Sequence, residues 1–259
     1  MACTSTEATA IVDGIENTLE RGRLRRTFAG QVSPAVMNEM LAGSLASGVS
    51  SRLADVCILF SDVRDFTSLS ERMPPAVVTN VLQRYFDRMV HAVHRHEGTV
   101  DKFIGDGMMV LFGAPRKSAD PCGDAVRCAL DMMAELDQLN GEFEAEGLPT
   151  LTVGIGINYG VVTVGNIGTD KKMNYTIIGD MVNLASRMES LTKKYHVPLL
   201  ISQSVYEKVK EKLPCRLIDT VAVKGKEKGV RIYTVRKSLS AQENEAWSLH
   251  NAAMDRFYH

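Results

Sequence analysis

Asp62 and Asp106 are the residues of this chain whose setting points most directly to chemistry. Asp62 follows the apolar run "VCILFS" (56–61), and Asp106 sits within the turn "GDG" (105–107) between "TVDKFI" and "MMVLF". A carboxylate at the mouth of a buried strand is costly unless something positive meets it. Two carboxylates brought to one sheet edge repel each other, and a cation relieves both penalties. Oxygen ligands without histidine or thiolate favour Mg²⁺ or Mn²⁺; Mg²⁺ takes one or two carboxylates and completes its shell with water and phosphate. Singly, Asp62 reads equally well as a turn cap and Asp106 as a hairpin residue. Asp65 competes with Asp106 as the partner of Asp62 on spacing alone.

Between Asp62 and Pro74 lies "VRDFTSLSERM", where backbone N–H groups and the hydroxyls of Thr67 and Ser68 suit phosphate oxygens at a helix N-terminus. A plain capped helix entrance uses the same hydroxyls. Asn183 and Arg187, at i and i+4 of a helix over 181–195, share a face. By themselves they read as a polar pair on an exposed helix side. "HAVHRH" (91–96) carries His91, His94 and His96 at a helix end with the third out of step, which reads as a solvated end rather than a metal site. Gly154, Gly156 and Gly160 follow G-x-G-x-x-x-G and run into a β-branched segment, whereas a dinucleotide site needs G-x-G-x-x-G opening a helix, so that reading is rejected.

The elements that position these residues alternate in period. The run 56–61 is apolar on both faces, as in a strand covered on both sides. After Pro74 and Pro75, the residues Val78, Val81, Leu82, Tyr85, Phe86, Met89 and Val93 recur at helical spacing. A hairpin around 105–107 follows, then a helix over about 120–144, and a strand pair is expected from "LTVGIGINYG" and "VVTVGNIG". The helix over 181–195, a strand near 198–201, a helix near 203–211 and strands around 215–223 and 230–236 complete the series. The order predicts an α+β fold, a ferredoxin-like βαββαβ core with C-terminal additions.

The chain has 259 residues, 45% of them hydrophobic, and a formal net charge of −1, which provides no global pull toward nucleic acid or membrane. Five scattered cysteines without a C-x-x-C pair suggest neither a disulfide framework nor a zinc ribbon and fit a reducing cytoplasm. The longest uninterrupted apolar run near Asp62, "VCILF" (56–60), falls far short of the roughly 18 residues of a membrane span. Residues 1–50 read as a connector and helical lead-in whose basic knot "RGRLRR" (21–26) is a solvated face, 51–237 as the folded domain that carries Asp62 and Asp106, and 238–259 as a tail with no specified chemistry.

"FSDVRDFTSLSE", "VDKFIGDGMMVLFGAP", "VGNIG…NYTIIGDMVNLASRME" and "VKGK", in this order over about 55–237, resemble the catalytic domain of class III nucleotidyl cyclases. The resemblance implies a homodimer with composite sites at its interface, converting a nucleoside triphosphate to its 3′,5′-cyclic monophosphate and pyrophosphate. It implies that Asp62 and Asp106, helped by the main chain of Val63, bind two ions of Mg²⁺ or Mn²⁺, and that Phe66 and Thr67 hold phosphate. From the other protomer, Asn183 would orient the ribose, Arg187 stabilise the transition state and Lys224 bind the terminal phosphates. Lys171 and Lys172 precede the Thr176 segment, where relatives carry an additional phosphate-binding cation.

Base choice rests on Lys102 and Thr176. A lysine donating to N1 and a hydroxyl accepting from the N6 amino group read adenine, whereas a glutamate would suit the N1–H of guanine. Threonine at the latter position resembles the subgroup that includes bicarbonate-responsive bacterial and soluble adenylyl cyclases. The expectation is an adenylyl cyclase acting on ATP, regulated from upstream of residue 50, with no nucleic-acid partner and no direct membrane span. Guanylyl cyclase and a catalytically inactive ATP-binding regulatory module are the alternatives; "IGDGMM" lacks the Gly-Gly-Asp/Glu-Glu-Phe signature of diguanylate cyclases.

Overall fold

A computed structural model describes residues 22–23, 33–41, 51–169, 172–222 and 229–258; most of the connector 1–50 and Lys171 lie outside them. Along the chain run α1 (Pro34–Leu41), β1 (Ser51–Val63), α2 (Phe66–Ser70), α3 (Pro75–Arg95), β2 (Thr99–Ile104), β3 (Gly107–Phe112) and α4 (Pro121–Ala145). Then come β4 (Val153–Thr169), β5 (Lys172–Ile178), α5 (Asp180–Lys194), β6 (Leu199–Ser202), α6 (Gln203–Val209), β7 (Cys215–Val221), β8 (Val230–Val235) and α7 (Ala241–Phe257).

The strands form one sheet in the order β2-β3-β1-β4-β6-β8-β7, with β5 paired to β4 off this path. The segment β2-β3-β1-β4 is the split βαβ arrangement predicted from the element order. β1 lies between β3 and β4, antiparallel to both. Its alternating side chains feed two cores: Cys57 and Leu59 join Met108, Val110 and Phe112 under α3 and α4, while Val56 and Ile58 join Met109, Leu111, Val162 and Ala185 of α5. That two-sided burial is why the run carries no polar alternation.

α3 begins at Pro75, which needs no N–H partner there, and buries Val81, Tyr85, Met89, Ala92 and Val93. α4 is capped by the Asp120 carboxylate, which accepts from the Gly123 N–H at 3.1 Å. Ion pairs join the rims of these two helices, Arg84 to Glu142 and Glu146, and Arg88 and Arg95 to Glu135. His96 Nε2 donates to the Asp131 carboxylate at 2.9 Å, joining the end of α3 to α4.

Two features depart from expectation. β4 is one continuous strand instead of a strand pair, because it pairs with β1 without interruption from Val63↔Val153 to Ser51↔Gly165. Its glycines mark close packing rather than a turn: a methyl group on Gly156 would stand 2.6 Å from the Ala185 carbonyl oxygen, and one on Gly160 2.7 Å from the Met181 sulfur. β1 also starts at Ser51, ahead of its apolar run; residues 51–55 owe their extension to β4 and are largely exposed, so nothing in their hydropathy announces a strand.

Residues 241–257, to which sequence reading assigned no element, form α7. Ser240 and Glu243 make a reciprocal capping box, Trp247 is buried, and Asn251 and His250 bond the backbone of β7. Cys57, Cys122, Cys128 and Cys215 are free thiols, the first three buried. Among the described residues no helix is long and apolar enough to cross a membrane.

Candidate active site

The buried run of β1 ends where the β2–β3 hairpin turns, and this places Asp62 and Asp106 at the same rim of the sheet. Ser61 opposes Met108 and Ile104 opposes Gly107, so Asp106 occupies the two-residue turn immediately beside Asp62. Gly105 has φ +62, a backbone region favouring glycine. Gly107 leaves space for the carboxylate, since a methyl group there would lie 2.7 Å from Asp62 Oδ1. Burial pushes the Asp62 carboxyl up, the charge of Asp106 pushes it further, and a backbone hydrogen bond at Val63 only partly opposes them. Asp62 therefore bears an electrostatic cost that a cation at this rim would relieve.

Asp65, the competing partner, turns elsewhere. It adopts φ +55, is exposed, and accepts from Lys193 of α5 at 2.6 Å. The hydroxyls after it do not serve as caps: neither α2 nor α3 has a side-chain N-cap bond, and Thr67 is exposed. Phe66 is buried at the start of α2, and Val63 is buried at the end of β1. The capped-entrance reading of Thr67 and Ser68 is thus not realised.

Sequence reading missed Glu189. It is half-buried on α5, and burial together with the charges of Asp62 and Asp106 raises its carboxyl to about 7. Gly154, which opposes Asp62 in the β1–β4 register, makes the room: a methyl group there would lie 2.8 Å from Glu189 Oε1. Even so, no group of three or more His, Cys, Asp or Glu side chains among the described residues converges to hold a metal. The rim offers two carboxylates, a donor set that fits a hard cation drawing its remaining ligands from phosphate and water.

Leu184, Ala185, Met188 and Thr192 form the buried face of α5. Asn183 and Arg187 lie together on its exposed face, and neither side chain makes a hydrogen bond or ion pair among the described residues. With 100° of turn per residue, Arg187 faces about 200° away from Glu189. Glu189 senses Asp62 of its own chain, whereas Arg187 points outward. Lys224 lies outside the described residues.

Lys102 of β2 and Thr176 of β5 are brought together at a second place. Lys102 Nζ donates to Thr176 Oγ1 at 3.2 Å, and Thr176 Oγ1 donates to Asp101 Oδ2 at 3.0 Å. Asp101 was also missed. It is the extra residue of a β-bulge, because Val100 opposes Val110 while Lys102 opposes Met109. Neighbours in a regular strand point to opposite faces; the bulge lets both Asp101 and Lys102 reach one hydroxyl. A cavity of about 240 Å³ adjoins the group, with Leu111, Asn174, Tyr175 and Val36 of α1 among its walls.

Residues 49–237 match the family described as adenylate and guanylate cyclase catalytic domain. An adenylate cyclase of Anabaena cylindrica is 40% identical over 186 residues, 69% of this chain and 36% of the relative. Adenylate cyclase 1 of Rhizobium meliloti is 32% identical over 209 residues, 81% of this chain and 31% of the relative. The chain thus spans about a third of the length of these two relatives. Among solved structures, the adenylyl cyclase CyaB from P. aeruginosa is 37% identical with a TM-score of 0.69, covering 74% of this chain and 98% of that one. The guanylyl cyclase Cya2 is 36% identical with a TM-score of 0.66, covering 74% and 97%.

Proposed function

We propose, from the premise that this chain belongs to the adenylate and guanylate cyclase catalytic domain family, that it is an adenylyl cyclase domain, converting ATP to 3′,5′-cyclic AMP and pyrophosphate as a homodimer. The observation that carries this reading is the juxtaposition of Asp62 and Asp106 at the sheet rim, where burial and the charge of Asp106 both raise the Asp62 carboxyl, a cost that a cation would relieve. Two Mg²⁺ or Mn²⁺ ions held by these carboxylates and the Val63 main chain would neutralise the triphosphate and lower the pKa of the attacking 3′-hydroxyl.

The chain's own residues supply orientation and fixed charge. Attack of the ribose 3′-oxygen on the α-phosphorus forms the ring bond as the bond to the β-phosphate oxygen breaks; pyrophosphate leaves, and the hydroxyl proton passes to solvent or a phosphate oxygen. The reaction is intramolecular, so holding the ribose against the phosphorus removes much of the barrier. Asn183 orients the ribose, and the Arg187 guanidinium directs several donors to phosphoryl oxygens that gain charge. Phe66 and Thr67 hold phosphate, and Lys224 holds the terminal phosphates. Lys102 and Thr176 read the adenine edge.

Support for a site shared across two copies comes from α5, whose exposed face carries Asn183 and Arg187 away from the carboxylates of the same chain. The catalytic unit is 51–237, with residues 1–50 as a connector passing a signal from upstream and 238–259 as a tail closing on β7. The free thiols support a reducing cytoplasm as its setting.

The test is incubation of the purified protein with ATP or GTP, with and without Mg²⁺ or Mn²⁺, and separation of the nucleotide products. Cyclic AMP and pyrophosphate formed only with metal are expected. Preferential cyclisation of GTP would overturn the base assignment, and no cyclic product from either nucleotide would overturn the activity.

A further inference from the structure

Lys102, Thr176 and Asp101 form a closed triangle whose hydrogen-bond directions are determined by chemistry. Lys102 Nζ lies 3.2 Å from Thr176 Oγ1 and 3.1 Å from Asp101 Oδ2, and Thr176 Oγ1 lies 3.0 Å from that same carboxylate oxygen. An ammonium only donates, so the Thr176 oxygen accepts from Lys102. A carboxylate oxygen beside an ammonium accepts, so the single Thr176 proton goes to Asp101. What remains to the hydroxyl is one lone pair, and what remains to Lys102 is one further N–H.

A hydroxyl is otherwise indifferent: it can accept from the amino group at purine position 6 or donate to an oxo group there. We propose that Asp101 is a positioning residue for base selection, holding the Thr176 proton so that this oxygen presents only a lone pair and recognises a 6-amino purine while offering no donor to a 6-oxo purine. The inference rests on the reading of Lys102 and Thr176 as the base contacts. Three observations single out Asp101. It is the bulge residue that breaks strand alternation, its side chain is only 1% exposed beside a 46%-exposed Lys102, and its second oxygen has no hydrogen-bond partner among the described residues. Burying a carboxylate this way is costly and gives no packing advantage over an apolar residue, so its return lies in what it does to Thr176 and Lys102. Burial raises its carboxyl, and Lys102 and Thr176 pull against that rise.

The experiment measures dissociation constants for 3′-deoxyadenosine triphosphate, its counterpart with hydrogen at purine position 6, and 3′-deoxyguanosine triphosphate, none of which can cyclise. Thermal unfolding is recorded in parallel for wild type, Asp101→Ala, Asp101→Asn and Thr176→Val. In Asp101→Ala the preference for the 6-amino over the 6-hydrogen ligand should fall roughly ten-fold, the worth of one hydrogen bond, and the guanine ligand should gain relative to adenine. Asp101→Asn, which keeps an acceptor in place, should retain most of the preference. If Asp101→Ala does not fold, Asp101→Ser, which leaves the Thr176 proton uncommitted, carries the same expectation. Equal weakening of all three ligands in the Ala or Ser variant, with Thr176→Val still lowering the 6-amino preference, would make Asp101 a merely structural residue and overturn the inference alone. An unchanged preference in Thr176→Val would overturn the base-contact reading itself, and the inference with it.

Discussion

Gly156 of β4 lies directly under Glu189 of α5: a methyl group on the glycine would stand 2.8 Å from the Glu189 Cα and 2.6 Å from the Ala185 carbonyl oxygen. The helix that carries Asn183 and Arg187 therefore approaches the sheet as closely as backbone allows. Gly156→Ala should lower stability by about 1–3 kcal/mol, because the intruding atom meets backbone that cannot swing away. Urea unfolding with an unchanged m-value and a lowered midpoint is the expected result; an unshifted midpoint would show that α5 can lift freely.

Removal of either rim carboxylate should cost turnover without costing the fold. On the proposed metal role, Asp62→Ala and Asp106→Ala would each remove a ligand at a partly exposed position and open no core cavity, so activity should fall by about two orders of magnitude or more while the unfolding temperature stays near wild type. Full activity in either variant would remove that aspartate from the metal site.

Glu189 gives the metal-free protein a pH dependence of definite sign. Its carboxyl is raised to about 7, above the ordinary value of 4.5, so the folded state holds the proton more tightly than the unfolded chain. The contribution to stability is full below the unfolded value and disappears as pH rises through about 7. Glu189→Gln, which mimics the protonated acid, should melt higher than wild type at pH 8 and together with it near pH 4. A constant difference across that range would assign the effect to packing instead of charge.

Base selection should move when its two contacts change together. If Lys102 and Thr176 are the proposed base contacts, Lys102→Glu with Thr176→Cys would replace the N1 donor by an acceptor and remove the hydroxyl, so the ratio of ATP to GTP turnover should fall and GTP should be admitted. Competition kinetics with both nucleotides present measure that ratio directly; an unchanged value would move recognition elsewhere.

A shared site predicts complementation. If Asp62 and Arg187 serve the same site from opposite chains, Asp62→Ala and Arg187→Ala homodimers are both inactive, and each mixed dimer has one intact and one doubly damaged site. Equal mixing with random exchange makes about half the dimers mixed, so recovery should approach roughly a quarter of wild-type activity. No recovery after demonstrated subunit exchange would return Arg187 to an ordinary helix surface.

What the sequence by itself determined is whatever local pattern encodes. The apolar run before Asp62, the helical stripe after Pro75 and the glycine-flanked Asp106 each declare their element within a few residues, and the element order yields the sheet core. Tertiary structure decided what depends on partners distant in the chain. Whether Asp62 meets Asp65 or Asp106 turns on the β1–β3 register and on Lys193, 128 residues beyond Asp65. The continuity of β4 follows from its pairing with β1, and its glycines acquire meaning only when α5 lies on them. Asp101 and Glu189 were illegible because the bulge between Val100 and Lys102 is a mismatch between two strands, and the rise at Glu189 is a product of burial and two remote charges. Burial and register are properties of paired surfaces, and neither exists until the chain has folded back on itself.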